Sequence, residues 1–221
     1  MLTDKLGVDI DPELLSLALT HRSYAYENGG LAHNERLEFL GDSILGQAVT
    51  VHLFTTHPGL DEGSLAKRRA SVVSTVALAE VARTIGLGAH IRLGRGEDQT
   101  GGRDKDSILA DTMEAVIGAA FLSAGAEASG ALVLRLVAPL MADPERYGAA
   151  MDPKTSLQER AAQLGMSPPV YTVIAEGPDH NRMFTATVAV SEVQRSGVGS
   201  SKKQAEMAAA LAVWHALSDR A

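Results

Sequence analysis

A chain of 221 residues that is 45% hydrophobic and 4% aromatic can bury a sizeable core of aliphatic, largely helical packing, in one or two domains. Its formal net charge of −7 argues against indiscriminate electrostatic binding to polyanions, and the absence of cysteine excludes a disulfide framework and a thiolate metal site. No long apolar run and no basic leader ahead of an apolar segment is present, so neither a membrane span nor a signal peptide is expected, and a cytoplasmic location fits.

From Asp11 to Met141 apolar residues recur at three and four, with Gly or Pro at the breaks, which predicts a helical region. Within it, Asn34-Glu35-Arg36-Leu37-Glu38-Phe39-Leu40-Gly41-Asp42-Ser43-Ile44-Leu45 sets three carboxylates into an apolar segment. Read as a helix, Glu35, Glu38 and Asp42 fall at i, i+3 and i+7 on one face, with Leu37, Leu40, Ile44 and Leu45 beside it. Like charges crowded in this way call for a cation, either a basic side chain or a metal. His57-Pro58-Gly59 ends this helix. After Asp61-Glu62-Gly63-Ser64, the run from Leu65 to Ile85 reads as amphipathic helix.

The segment from Gly94 to Arg103 is polar and glycine-rich. No Gly-Lys-Ser/Thr follows and no strand precedes it, so it reads as a connection and not as a nucleotide cradle. In Ser107-Ile108-Leu109-Ala110-Asp111-Thr112-Met113-Glu114-Ala115-Val116, Asp111 and Glu114 stand at i and i+3 on an almost wholly apolar helix, expected to be buried. Two buried acid-bearing helices can converge on a hard divalent cation, which prefers oxygen ligands. The seven histidines lack metal-ligand spacing, and His21, His33 and His52 are expected as hydrogen-bonded structural residues.

Residues 142–150 read as a linker, and the pattern changes beyond it. Thr155 stands three before Gln158 and Ser156 three before Glu159, a capping-box start for a helix that stops near Gly165. Val170 to Ala175 predicts a strand and Gly177-Pro178-Asp179-His180-Asn181 a turn. Phe184, Ala186, Val188 and Val190 alternate on a second strand, and Val193 to Gly199 supplies a third. A last, alanine-rich helix runs from about Ser201 to Leu217, giving the order α-β-β-β-α. Charge divides along the same line: residues 1–151 hold 13 Lys+Arg against 20 Asp+Glu, whereas residues 152–221 hold 7 of each. The acidity is therefore confined to the part with the carboxylate motifs.

Asn34 to Asp42 resembles the signature of the ribonuclease III endonuclease domain, and Ile108 to Ala115 resembles that family's second acidic motif. Pro153-Lys154-Thr155-Ser156-Leu157-Gln158-Glu159, Gly177-Pro178-Asp179-His180 and Ser201-Lys202-Lys203-Gln204-Ala205-Glu206 resemble the double-stranded RNA-binding domain. The resemblance implies a mainly α N-terminal endonuclease domain of the ribonuclease III fold over 1–146 and a linker over 147–152. A small α+β double-stranded RNA-binding domain then occupies 153–221. It implies a homodimeric, Mg²⁺-dependent enzyme (Mn²⁺ able to substitute) that cuts double-stranded RNA, with no membrane partner. The expected products are 5′-phosphate and 3′-hydroxyl ends with short 3′ overhangs, from structured precursors such as ribosomal RNA and from messenger or transfer RNA operon transcripts.

Carried over by position, Glu38, Asp42, Asp111 and Glu114 are the expected metal set, with Asp42 and Glu114 the principal catalytic residues. Thr155, Gln158, Glu159, His180, Ser201, Lys202 and Lys203 are the expected RNA contacts. Glu35 and Glu62 are candidate substrate or dimer contacts. Lys202 and Lys203 at a helix N-terminus suit phosphate, and Gln158, Glu159 and His180 suit 2′-hydroxyls in the wide minor groove of A-form RNA. Three positions depart from the family pattern: Glu206 stands where many members have a basic residue, Ala66 where Ser or Thr is usual, and Ser74 where Asn is common. The alternative readings are a non-cleaving RNA-binding regulator, which a missing acid would mark, and a nuclease of DNA or single strands. The C-terminal module argues against the latter.

Overall fold

The computed structural model describes residues 2–142, 148–150, 152–178 and 182–218. The chain divides into two compact units, Met1–Tyr147 and Gly148–Ala221.

The first unit is helical throughout: α1 (Leu2–Leu6), α2 (Pro12–Ala18), α3 (Arg22–Glu27), α4 (Glu35–Thr56), α5 (Glu62–Val72), α6 (Thr75–Thr84), α7 (Arg95–Gln99) and α8 (Asp106–Met141). Single-turn 3₁₀ segments follow α6 at Leu87–His90 and α7 at Gly102–Asp104. The core sits between α4, whose Leu37, Gly41, Leu45, Val49 and Leu53 recur every fourth residue, and α8, whose buried face runs from Ile108 to Ala120. α6 and α2 pack on α8, and the Asp11 N–H donates to Ser123 Oγ at 2.9 Å. By length and apolarity α8 alone among the described helices could cross a membrane. It kinks at Gly125 (φ +82°), and Leu132, Val133, Leu136, Val137 and Leu140 rejoin the core beyond the kink.

One expectation for this unit is corrected. The run from Leu65 to Ile85 is two helices, because Ser74 Oγ accepts the Ala77 N–H at 3.3 Å and caps a fresh start at Thr75. Unbroken apolar periodicity through Val72 and Val73 conceals that cap. The glycine-rich segment after Gly94 joins this region to α8, as expected, by way of α7 and the following 3₁₀ turn.

The second unit runs α9 (Pro153–Gln163), β1 (Val170–Glu176), β2 (Met183–Val190), β3 (Val193–Gly199) and α10 (Lys202–Ser218), the expected α-β-β-β-α order. Its sheet is antiparallel in the order β1-β2-β3, with Ala186 opposite both Val173 and Gly197. Ala186, Val188 and Val190 turn to the helices and meet Ala205, Ala209, Val213 and Trp214 of α10. The alanines matter because α10 lies against backbone: a Cβ on Gly197 would stand 2.3 Å from Ala209 N. Ala149 is fully buried in this core. The expected capping box does not open α9. Asp152 is the N-cap, its side chain accepting the Thr155 N–H at 3.3 Å, and Pro153 takes the first turn, where its missing N–H costs nothing.

Candidate active site

A pair of glycines lets the acids meet. α4 and α8 cross where a Cβ on Gly41 would stand 1.7 Å from the Glu114 carbonyl oxygen, and one on Gly118 2.4 Å from that of Leu37. With backbones in contact, Glu38, one turn before Gly41, faces Asp111 and Glu114, the latter one turn before Gly118. One carboxylate oxygen from each of Glu38, Asp111 and Glu114 falls within 4.8 Å of the others, and all three residues are half-buried. No side-chain hydrogen bond or ion pair holds any of the three among the described residues.

This crowding shows in their acidity. Burial is the main cause that pushes the Glu114 carboxyl up to about 8, with Asp42, then Asp111 and Glu38, adding repulsion. Burial also raises Glu38, with Asp111 and Glu35 contributing, and raises Asp111, where His21 and Arg22 pull the other way. Asp42 stands apart. It is exposed and outside the convergent trio, although its charge presses on Glu114 more than any other acid. The structure thus gathers three of the four expected acids, with the fourth one helical turn along.

Glu35 is turned away from the trio: its carboxylate lies 3.4 Å from the guanidinium Nη1 of Arg22 and 3.8 Å from His33 Nδ1. It lines, with Glu38 and Asp111, a cavity of about 450 Å³. Three further residues of that cavity escaped the sequence reading, Arg22, Glu97 and Lys105. Lys105 donates to Glu97, which holds that carboxyl below its ordinary range, and to Thr100 Oγ1 at 3.0 Å. The start of α3 is fixed by backbone bonds from His21 N to Arg92 O (3.1 Å) and from Arg92 N to Leu19 O (2.8 Å). His21 Nδ1 accepts the Ser23 N–H at 3.2 Å, so its proton sits on Nε2, and burial lowers its pKa. His21 is therefore hydrogen-bonded as expected. His33 Nδ1, by contrast, is shielded and lacks a hydrogen-bond partner among the described residues, and His52 shows no side-chain bond there either.

Three hard oxygen donors without protein partners suit a hard divalent cation, which would relieve the repulsion that raises their pKa values. Glu62 lies elsewhere. It opens α5 and lines an apolar cleft of about 390 Å³ with Phe54, Leu60, Ala66 and Arg69.

In the second unit Thr155, Gln158 and Glu159 are exposed at i, i+3 and i+4 of α9. Ser201 precedes α10 and Lys202 and Lys203 open it, all three exposed. Glu206 ties the two helix starts together, its side chain 13% exposed and 2.8 Å from Lys154 Nζ and 3.8 Å from Lys202 Nζ. Lys154 Nζ also sits 4.6 Å from the Tyr171 ring centroid. His180 lies outside the described residues.

Residues 11–140 match the Ribonuclease-III-like family and residues 153–217 the double-stranded RNA binding motif. A protein named Ribonuclease 3 from Leifsonia xyli subsp. xyli is 72% identical over 219 residues, covering 99% of this chain and 92% of its own. Another from Mycobacterium tuberculosis is 58% identical over 220 residues, covering 98% and 92%. The nuclease domain of ribonuclease III from Campylobacter jejuni superposes with a TM-score of 0.59 at 39% identity, over 62% of this chain and 94% of that one. With an acid-bearing helical unit and an α-β-β-β-α unit matched in order, the chain belongs to the ribonuclease III family, the endoribonucleases of double-stranded RNA.

Proposed function

We propose that the chain hydrolyses phosphodiester bonds of double-stranded RNA at the Glu38–Asp111–Glu114 cluster with Mg²⁺, for which Mn²⁺ can substitute. The products are 5′-phosphate and 3′-hydroxyl ends with short 3′ overhangs. The observation that carries this reading is the convergence of three half-buried, unpartnered carboxylates within 4.8 Å. Glu38, Asp111 and Glu114 would hold the ion directly, and Asp42, exposed beside Glu114, would complete the set from the solvent side. Bound there, the ion supplies an activated water, charge neutralisation at the scissile phosphate and stabilisation of the leaving 3′-oxygen.

The residues themselves do the positioning. α4 and α8 bring the acids together at their glycine crossing, and the buried setting strengthens every charge interaction in it. The domain over 153–221 would grip the duplex, Lys202 and Lys203 on phosphates and Thr155, Gln158, Glu159, Ser201 and His180 across the minor groove.

A homodimer with 1–146 as the catalytic and dimerising domain fits the exposed apolar residues of α4. Phe39 is 80% and Phe54 71% exposed, and the Campylobacter jejuni nuclease domain is described as having a region involved in dimer formation. A second copy laid on that face would cover these rings and bring Glu62 near the interface. Structured ribosomal precursors, and messenger and transfer RNA operon transcripts, are the proposed substrates, in the cytoplasm. A long perfect duplex incubated with protein and Mg²⁺ should yield short duplexes with mapped 5′-phosphates, and none in excess EDTA. Intact duplex in both tubes overturns the proposal.

A further inference from the structure

We propose that Arg22 binds a backbone phosphate of the RNA strand entering the carboxylate cluster, and that the groove beyond Arg22 is the bed of that strand. This inference rests on the reading of the acid cluster as the cleavage site.

Two hollows abut at α3. One, of about 450 Å³, contains Glu38 and Asp111. The other, of about 550 Å³, is walled by Ser23, Tyr26, Leu31 and His33. They share His21, Arg22 and Glu97, so Arg22 stands at the doorway between the acids and the groove.

An RNA backbone following this path meets seven carboxylates, those of Glu27, Glu35, Glu38, Asp42, Glu97, Asp111 and Glu114. A bound divalent ion offsets only part of that charge, so the strand needs a fixed cation at the entrance. Three other basic residues of this unit are already engaged. Lys105 is bonded to Glu97 and Thr100, Arg103 to Asp98 at 2.7 Å and to the Ile91 carbonyl at 2.9 Å, and Arg83 to Asp104 and Asp106 at 2.6 Å.

Arg22 differs. Its side chain is 72% exposed, and its hydrogen bond among the described residues is the long 3.4 Å one to Glu35, beyond the usual range for a firm N–H···O contact. A planar guanidinium held this loosely can turn to take a phosphate in a bidentate grip, with Glu35 as the positioning residue that keeps it at the doorway.

The groove itself is furnished for a sugar–phosphate strand. Tyr26 is 87% and Leu31 50% exposed, an apolar surface for riboses. His33 Nδ1 is shielded and without a hydrogen-bond partner among the described residues, 3.8 Å from Glu35. Its shielding keeps that atom from an incoming strand, so what the groove offers RNA is the exposed Tyr26 and Leu31 surface.

The test uses the full chain, wild type beside Arg22→Ala and Arg22→Lys, with a perfect RNA duplex and saturating Mg²⁺ over a series of KCl concentrations. Arg22→Ala should raise KM about tenfold with kcat within about threefold, and lower the slope of log KM against log salt by about one per contact. Arg22→Lys keeps the charge and should restore the slope while recovering only part of the KM, because the bidentate grip is lost. Duplex binding in EDTA by the same proteins should show the same loss of slope without turnover. Tyr26→Ala should raise KM with the slope unchanged.

Failure of the wild type to cut the duplex sinks the reading of the acid cluster, and the EDTA binding slopes then decide the Arg22 contact alone. A cutting wild type with unchanged KM and slope in Arg22→Ala overturns this inference and leaves that reading intact. In a parallel Mg²⁺ titration of the same proteins, a shift confined to the Mg²⁺ midpoint also overturns it, since Arg22 would then act on the carboxylates and not on RNA.

Discussion

Replacing Gly41 by Ala tests how the two acid-bearing helices are held. The added Cβ would stand 1.7 Å from the Glu114 carbonyl oxygen, 2.5 Å from its carbonyl carbon and 3.0 Å from Gly118 N. All three are backbone atoms, so no side chain can swing away and α4 itself must retreat. Bringing 1.7 Å up to an ordinary contact demands a shift of roughly 1.5 Å at the crossing, and overpacking of this kind costs about 1–3 kcal/mol. Oxygens of Glu38, Asp111 and Glu114 already span up to 4.8 Å. Mg²⁺ would take its oxygens at about 2.1 Å, so a retreat of that size would carry Glu38 out of joint reach with Asp111 and Glu114. The Mg²⁺ concentration for half-maximal cleavage should rise about tenfold or more, the equivalent of about 1.4 kcal/mol or more of lost metal binding, while duplex binding in EDTA stays within a fewfold. Gly46→Ala is the control on the same helix, because a Cβ there meets nothing within 4 Å. It should be neutral or stabilising by about 0.5–1 kcal/mol. Wild-type stability and an unmoved Mg²⁺ midpoint in Gly41→Ala would refute the reasoning.

Two other outcomes follow from the charges. Metal-free Glu114 binds its proton more tightly folded, with a pKa of about 8, than unfolded, near 4.5. Its contribution to stability is therefore complete below pH 4.5 and is lost as pH rises toward about 8. Discounted for solvent screening at this half-buried site, the loss is on the order of 2 kcal/mol. Urea unfolding of metal-free protein at the two ends of that window should show it, Glu114→Gln should flatten it, and an identical pH slope in both proteins would contradict it. Lys203→Ala, at the exposed start of α10, should lower the salt slope of duplex binding by about one, uniformly across sequences. An unchanged slope would remove Lys203 from the phosphate contacts.

Glu38, Asp111 and Glu114 were legible in the sequence because carboxylates among apolar residues at helical spacing announce a shared buried face. Spacing alone could not separate Asp42 from them. It shares the Glu38 side of α4 but stays exposed one turn on, and the glycine crossing decides which acids of the two helices meet. Arg22, Glu97 and Lys105 left no local signal, since they reach the cavity from three separate segments through tertiary packing. The order of the second unit was readable from period-two alternation. The start of α9 was misplaced because the Thr155–Gln158 pattern competes with Asp152-Pro153, and both satisfy a helix N-terminus in isolation. Glu206, which departs from a family pattern of basic residues, finds its place as the anchor of Lys154 and Lys202.

The most direct measurement is single-turnover cleavage of a perfect RNA duplex by Glu114→Gln with Mg²⁺, alongside duplex binding by the same protein. If the carboxylate cluster holds the ion that drives cleavage, the rate should fall by roughly a hundredfold or more while binding stays within a fewfold. Cleavage near the wild-type rate, or binding lost in step with it, would contradict the assignment of these acids.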